Sequence, residues 1–243
     1  MDRLLYTALS GASVAQQEQQ IHANNLANVN TEGFRADLAL AQQQALSANP
    51  GETRVMNSES PSGVDLSAGA IQATGRNLDV AIQGQGYLTV VTGKGEAFTR
   101  DGQLTIDSQG QMYAHGYPVA GDNGPVILPP FSSVSIGQDG IISIVPQESG
   151  NTTPVDVDRL RLVNPPASSL SKNEQGLLVS SQRNNPADEG VRVVSGHLES
   201  SNVSAVGEML ASMSVNRQFE AQIKMMKTAD DLASAGNQLL RNS

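Results

Sequence analysis

Both ends of the chain are free of proline, which leaves room for a long helix at each end. The eleven prolines begin at Pro50 and end at Pro186, and proline in a helix interior breaks the helix. In each proline-free end, one set of side chains recurs at alternating spacings of three and four residues, the repeat of a coiled coil. The sequence therefore predicts a helix over about Asp2–Asn28 and another that runs towards the C-terminus. The N-terminal set is Leu5, Ala8, Ala12, Ala15, Gln19, His22 and Leu26, and the C-terminal set is Phe219, Ile223, Met226, Asp230, Ala233, Asn237 and Leu240.

These two stripes favour a coiled-coil or bundle seam over the alternative, an ordinary amphipathic helix packed on a globular core. The small alanines permit close approach of a second helix, and the polar residues Gln19 and His22 would fix its register. Isolated helices gain most of their stability from packing. We therefore expect the terminal helices to pair with each other and with copies from other chains.

The middle of the chain is predicted to be rich in β-strands. The stretch LDVAIQGQGYLTVV (78–91) alternates apolar and polar residues around a break at Gly84–Gly86, and VDVDRLRLV (155–163) is predicted to form one alternating strand. Turn signals follow one another at short intervals between these stretches, as in a β-barrel or sandwich. The stretches 34–75 and 164–200 are dominated by Ser, Asn, Pro and Gly.

The predicted fold class is thus α+β, in three parts. Terminal heptad helices, 1–33 with 200–243, form a coiled-coil domain. A central all-β, barrel- or sandwich-like domain covers 76–165. Extended, β-rich connectors over 34–75 and 166–199 join the two.

Charge and composition exclude several classes of partner. A net charge of −9 argues against nucleic acid, which selects basic surfaces. No apolar run approaches the roughly 20 residues of a membrane-spanning helix, so no direct membrane insertion is expected. The N-terminus lacks the basic and apolar regions of a cleavable signal peptide.

The search for catalytic, cofactor-binding and metal-binding residues yields no candidates. His22, His115 and His197 stand alone, without a metal-binding or paired-carboxylate pattern around them. The chain has no cysteine, so it has neither a disulfide nor a thiolate metal site. We therefore expect a protein that is not an enzyme and carries no cofactor or metal.

The predicted N-terminal helix ends in a run of asparagines, HANNLANVNTEGFRA (22–36). We expect Asn25 to lie on the helix, and Asn28 and Asn30 near its end, where asparagine tolerates the left-handed conformation and can satisfy free carbonyls. Phe34 is the candidate anchor where the chain leaves the helix. The sequence thus predicts a polar junction that bonds with neighbouring subunits.

Four stretches of the sequence resemble a known family, the bacterial flagellar basal-body rod and hook proteins. ANNLANVNTEGFRA (23–36) is similar to the N-terminal signature of that family, and residues 198–240 resemble its C-terminal helix. LDVAIQGQGYLTV (78–90) and FTRDGQLTIDSQGQMYAHGYPVAG (98–121) resemble the β-domain of the hook-type members. These stretches are distributed along the chain, from residue 23 to residue 240, in the family's order.

The resemblance implies a structural rod subunit that polymerises with other axial proteins, proximal and distal rod subunits, and with copies of itself. It also implies export by the flagellar export apparatus without a cleaved signal, and a place in the rod that crosses the periplasm and transmits torque from motor to hook. The subunit-interface residues inferred from the two stripes and the junction are Leu5, Ala8, Ala12, Ala15, Gln19, His22, Asn25, Leu26, Asn28, Asn30, Phe34, Asn202, Phe219, Ile223, Met226, Ala233, Asn237 and Leu240.

Two alternatives stay open at this point. Within the family, the modest length favours a proximal rod protein, with a distal rod or hook subunit as the alternative. From another class, a secreted β-rich adhesin or glycan-binding module could carry helical oligomerisation ends.

Overall fold

The computed structural model describes residues 2–38, 41–46, 54–59, 63–147, 153–182 and 184–241. The chain divides into two compact units. The first, here called the helical unit, comprises Met1–Asn28, Asp37–Asp65 and Val203–Ser243. The second, here called the β unit, comprises Val29–Ala36 and Leu66–Asn202. The chain thus passes from one unit to the other four times.

Two long helices dominate the helical unit. Helix α1 spans Asp2–Ala27 and helix α2 spans Ala205–Arg241. They are antiparallel, because the late residue His22 of α1 meets the early residue Glu208 of α2, and Gly11 meets Gln222. Ser204 caps α2, since its Oγ accepts the backbone N–H of Gly207 at 3.3 Å.

A β-hairpin completes the helical unit. Its strands are β1 (Asp37–Leu38), β2 (Ala41–Leu46), β3 (Arg54–Glu59) and β4 (Gly63–Val64). Strand β1 pairs antiparallel with β4, and β2 with β3, from Ala41 opposite Glu59 to Leu46 opposite Arg54. Strand β3 lies beside α1. Much of the predicted connector 34–75 therefore forms paired strands.

The β unit is built from short antiparallel strands. Those that the structure describes are β5 (Ile71–Ala73), β6 (Val80–Gln83), β7 (Tyr87–Thr92), β8 (Gly95–Thr99), β9 (Leu104–Ile106), β10 (Met112–Ala114), β11 (Tyr117–Pro118), β12 (Ala120–Gly121), β13 (Gly124–Pro125), β14 (Phe131–Ile136), β15 (Ile141–Pro146), β16 (Val155–Arg159), β17 (Leu162–Val163), β18 (Leu170–Lys172), β19 (Leu178–Ser180), β20 (Arg192–Ser195) and β21 (His197–Glu199). A 3-10 turn, Ala167–Ser169, precedes β18.

The largest sheet has the order β17-β7-β8-β19-β18, and two three-stranded sheets have the orders β14-β15-β16 and β11-β10-β9. Strand β6 pairs with β20, and β5 with β21. The glycine break between β6 and β7 moves the chain from one sheet to another, with a φ of +75° at Gly84 and +125° at Gly86. Strands between 166 and 199 thus pair with strands of the 76–165 stretch.

One apolar core joins these sheets. Its members come from the inward positions of the alternating strands, which is the reason that the period of two is visible in the sequence. The largest buried side chains include Leu88, Leu104, Met112, Ile142 and Leu160.

The α+β class predicted from the sequence is confirmed, with helices at the two ends and strands between them. Neither helix in the described part of the chain is both long and apolar enough to cross a membrane.

Candidate functional site

The N-terminal stripe lies where α1 packs in the helical unit. Ala8, Ala12 and Ala15 are buried, at 2%, 5% and 3% exposure, while Gln19, His22 and Leu26 are half-buried. A Cβ added at Gly11 would lie 3.0 Å from the Gln222 side chain. The small residues of α1 therefore allow α2 to approach closely.

On α2, the buried and half-buried positions Val215, Phe219, Gln222, Met226 and Ala229 also follow a three-and-four spacing. Phe219 and Met226 belong to the predicted stripe. Ile223 and Asp230 are exposed and lie beside that row of positions. The side chains of Leu5, Ala233, Asn237 and Leu240 lie outside the described part of the chain.

The polar end of the helix pair is centred on Glu208. His22 Nδ1 lies 2.5 Å from Glu208 Oε2, and Asn25 Nδ2 donates to Glu208 Oε1 at 3.3 Å. Both side chains of the His22–Glu208 pair are less than a quarter exposed. These contacts fix the start of α2 against the last two turns of α1.

Asn25 also holds the chain where it re-enters the helical unit. Its side chain is buried, at 2% exposure. Asn25 Oδ1 accepts the N–H of Asp37 at 2.8 Å, and its Nδ2 donates to the Asp37 carbonyl at 3.0 Å. The amide thus satisfies both backbone groups of Asp37, much as a neighbouring strand would.

The other asparagines of the run have different environments. Asn28 Nδ2 donates to the Asn24 carbonyl at 2.9 Å, so it satisfies a free carbonyl at the helix end. Asn30 is exposed. The left-handed residue of this turn is Gly33, with a φ of +66°, and not one of the asparagines. Glycine takes that conformation at no steric cost.

Residues 29–36 belong to the β unit, and here they are called the strap. Gly33 donates its N–H to the Glu199 carbonyl at 2.7 Å, and a Cβ at Gly33 would lie 2.2 Å from the Arg100 carbonyl carbon. Phe34 is half-buried beneath Lys172, whose Nζ lies 3.7 Å from the ring centroid and donates to the Arg35 carbonyl at 2.8 Å. The strap therefore lies directly on the β unit.

A buried cluster of three charges holds the strap. Arg35 Nη2 donates to Glu199 Oε1 at 2.6 Å, and Arg100 Nη1 donates to Glu199 Oε2 at 2.8 Å. Glu199 Oε1 also accepts the N–H of Gly69 at 2.8 Å. All three charged side chains are at most 4% exposed. Such a group is stable only while each charge keeps its partner.

Arg100 is further held by backbone and ring contacts. It donates to the carbonyls of Ile82 and Gly84, and its guanidinium lies 5.3 Å from the centroid of the Tyr87 ring. Burial lowers the pKa of Arg100, and Glu199 opposes that shift. Burial likewise raises the pKa of Tyr87, against the effect of Arg100.

Asn202 lies in the β unit at the last crossing of the chain. Its Oδ1 accepts the N–H of Ala36 at 2.8 Å, and its Nδ2 donates to the Ser67 carbonyl at 3.1 Å. Its own N–H donates to the Phe34 carbonyl at 3.3 Å. One asparagine therefore connects the strap, the segment that begins at Leu66, and the segment that precedes α2.

Arg35, Arg100 and Glu199 are residues that sequence reasoning missed. The sequence does not distinguish a buried charged residue from a solvated one, and Arg35 and Arg100 lie 164 and 99 positions before Glu199.

The described residues contain no group of three or more His, Asp or Glu placed to hold a metal ion. What the geometry provides is a helix pair with exposed apolar residues and a strap fixed to a β unit.

Three protein-family models match the chain in order. They are described as flagella basal body rod protein, over residues 5–35, flagellar hook protein FlgE/F/G D1 domain, over 81–144, and flagellar basal body rod FlgEFG protein C-terminal, over 194–239. The flagellar basal-body rod protein FlgF of Escherichia coli is 38% identical, and the alignment covers 100% of both chains. The chain belongs to the family of flagellar basal-body rod proteins.

Other relatives agree with this assignment. FlgF of Salmonella typhimurium is 35% identical over 100% of both chains. FlgG of Bacillus subtilis is 33% identical over 96% of this chain and 97% of its own. The family resemblance predicted from the sequence is confirmed. Like its relatives, this rod protein is a structural subunit and not an enzyme.

Proposed function

We propose that this rod protein is a subunit of the proximal part of the rod. There it polymerises with other axial proteins and with copies of itself into the drive shaft that transmits torque from motor to hook. The observation that carries the proposal is the relation to FlgF of Escherichia coli over the full length of both chains. That relation includes the whole β unit.

The surface of the helical unit supports the proposal. Large apolar side chains on α1 and α2 remain exposed in the single chain, and burying each against another subunit would stabilise an assembly by about 1.5–3 kcal/mol before the costs of association. They are Tyr6, Leu9, Val206, Met209, Leu210, Met213, Ile223, Met225 and Leu232. Helical assemblies need such surfaces, since each subunit must present one patch to a different patch on the next.

Several finer assignments belong to the same proposal. The terminal helices, within 1–33 and 200–243, form a coiled-coil polymerisation domain. The residues inferred from the stripes and the junction contact neighbouring subunits. The stretch 76–165 forms a barrel- or sandwich-like domain, which the apolar core of its sheets supports. The stretches 34–75 and 166–199 join that domain to the terminal helices, and strands of 166–199 also pair with it. The chain reaches the periplasm-spanning rod through the flagellar export apparatus, without a cleaved signal.

Deletion of the gene in its own bacterium, followed by imaging of isolated basal bodies, tests the proposal. We expect the rod to end at or before its proximal part, with neither hook nor filament. Re-expression of the intact chain should restore all three. Hooks assembled in the deletion strain would contradict the proposal.

A distal rod position is the second candidate, since FlgG of Bacillus subtilis also matches nearly the whole chain. Expression in strains that lack either FlgF or FlgG distinguishes the two. Restored motility in the strain without FlgF, and not in the strain without FlgG, supports the proximal position. The reverse result would assign the chain to the distal rod.

A further inference from the structure

Two asparagines hold the chain on either side of a single peptide bond. The bond joins Ala36, the last residue of the strap, to Asp37, the first residue that returns to the helical unit. Within the β unit, Asn202 Oδ1 accepts the N–H of Ala36 at 2.8 Å. Within the helical unit, Asn25 Oδ1 accepts the N–H of Asp37, also at 2.8 Å.

The same two side chains hold the neighbouring crossings. Asn202 donates to the carbonyl of Ser67, the residue after Leu66, where the chain crosses into the β unit. Asn25 donates to Glu208, near the start of α2, which follows the crossing at Val203. Each asparagine lies in the same unit as its partners.

We infer that Asn25 and Asn202 are positioning residues that leave no free linker at the crossing between Ala36 and Asp37. A flexible linker has many conformations and yields under load before it transmits force. Here the backbone on either side of the bond is hydrogen-bonded into its own unit, so no residue of the linker is free. The mechanical consequence rests on the proposed function, whereas the hydrogen bonds do not.

A primary amide is the group that this role requires. Each asparagine accepts one backbone N–H and also donates to a carbonyl or carboxylate oxygen. An aspartate could accept but could not donate, and an alanine could do neither. At position 25, an aspartate would also place a second negative charge beside Glu208.

Amide hydrogen exchange on the full-length chain, followed by NMR, tests the two hydrogen bonds separately. Asn202→Ala should speed exchange at Ala36 by about tenfold and leave Asp37 unchanged, and Asn25→Ala should do the reverse. Asn202→Asp keeps the acceptor oxygen and should preserve the protection of Ala36. The matched control is Asn123→Ala, because Asn123 is exposed, lies outside the residues inferred to contact other subunits and makes no side-chain hydrogen bond in the described part of the chain.

Three outcomes would overturn the inference. Rapid exchange of Ala36 or Asp37 in the wild-type chain would remove the corresponding asparagine from the proposal. Unchanged protection of Ala36 in Asn202→Ala, or of Asp37 in Asn25→Ala, would also remove that asparagine from the proposal. Loss of protection at Ala15 in Asn25→Ala would show that Asn25 supports the helix pair as a whole rather than one crossing.

Swimming in media of increasing viscosity tests the mechanical consequence. Cells with Asn25→Ala or Asn202→Ala should build complete rods and hooks but lose speed more steeply with viscosity than wild-type or Asn123→Ala cells. Equal loss of speed in all strains, with the exchange result intact, would overturn the mechanical role alone. Hooks in the gene-deletion strain would instead overturn the proposed function.

Discussion

Glu199 is the residue whose replacement should cost the β unit most. Changing it to glutamine leaves two buried guanidinium groups without a counter-charge, so we expect a loss of about 3–5 kcal/mol in the free energy of unfolding. The matched control is Glu96→Gln, which removes the 3.4 Å pair with Arg161 at a site where Glu96 is 42% exposed. That change should cost less than about 1 kcal/mol. Chemical denaturation of the full chain measures both losses. Equal losses would contradict the conclusion that the buried charge of Glu199 stabilises the β unit.

Gly33 provides a second comparison at the residue scale. A methyl group there would overlap the Arg100 carbonyl carbon at 2.2 Å, in a conformation that favours glycine. We expect Gly33→Ala to destabilise the β unit by about 3 kcal/mol or more. Gly75 has a similar φ, +74°, but nothing lies within 4 Å of its added Cβ. Gly75→Ala should therefore cost only about 1 kcal/mol, and denaturation of both variants separates the clash from the backbone strain.

His115 gives the β unit a dependence on pH. Its hydrogen bond to Asp101, at 3.1 Å, raises the pKa of His115 in the folded state. The resulting stabilisation is complete below the ordinary pKa of about 6.5 and is lost as the pH rises through the folded value. Because the side chain is 36% exposed, solvent screening keeps the effect below about 1 kcal/mol.

The control for this pH dependence is His115→Asn, since asparagine tolerates the φ of +51° at this position. Between about pH 6 and pH 8, the wild-type chain should lose more unfolding free energy than the variant. An identical decline in the two proteins would show that His115 does not contribute.

At the scale of elements, the helix pair depends on small side chains. Ala12 is 5% exposed, so a leucine there would force α1 away from its neighbours and should cost about 1–3 kcal/mol. Ser13 is exposed one position further on, and Ser13→Leu should leave stability nearly unchanged. Thermal melting followed by circular dichroism measures the difference. Equal melting temperatures for the two variants would contradict this packing.

The elements that sequence reasoning predicted well are those with a local period. The three-and-four spacing predicted a helix over Asp2–Asn28, and α1 spans Asp2–Ala27. Alternation with a glycine break predicted β6 and β7 in the same way. Strand pairing was not predictable, because partners such as β8 and β19 are distant in the chain and leave no local signal. The stretch 155–163 even divides between two sheets, as β16 and β17.

The candidate site was predictable only in part, for a related reason. Asn25 and Asn202 were candidates because of their residue type. Their partners, Asp37 and Ala36, could be identified only from the folded structure. The stripe on α2 was predicted from spacing alone, and spacing does not distinguish the face that meets α1 from the adjacent face. Ile223 consequently lies outside the row of buried positions.

At the scale of the whole molecule, we expect polar substitutions on the exposed apolar face of α2 to leave the single chain stable but to prevent assembly of the rod. Leu210 and Met213 are 63% and 55% exposed, so changing either to glutamine should alter the stability of the single chain by no more than about 0.5 kcal/mol. If other subunits cover these residues, the same variants will fail to build rods. Ser214→Gln, at an exposed polar position of the same helix turn, is the control. Normal rods with both glutamine variants would exclude this face from assembly.

The strap also limits how this protein can be recombined with its relatives. Residues 66–202 look like a self-contained cassette, because Asn202 reaches back to Ser67. Yet Gly33 and Arg35, which pack on Arg100 and Glu199, are encoded upstream of the hairpin. A chimaera that exchanges only the cassette would separate these partners, whereas one that also transfers codons 29–36 would keep them together. The β unit is therefore encoded by two separate gene segments, and both must be transferred together.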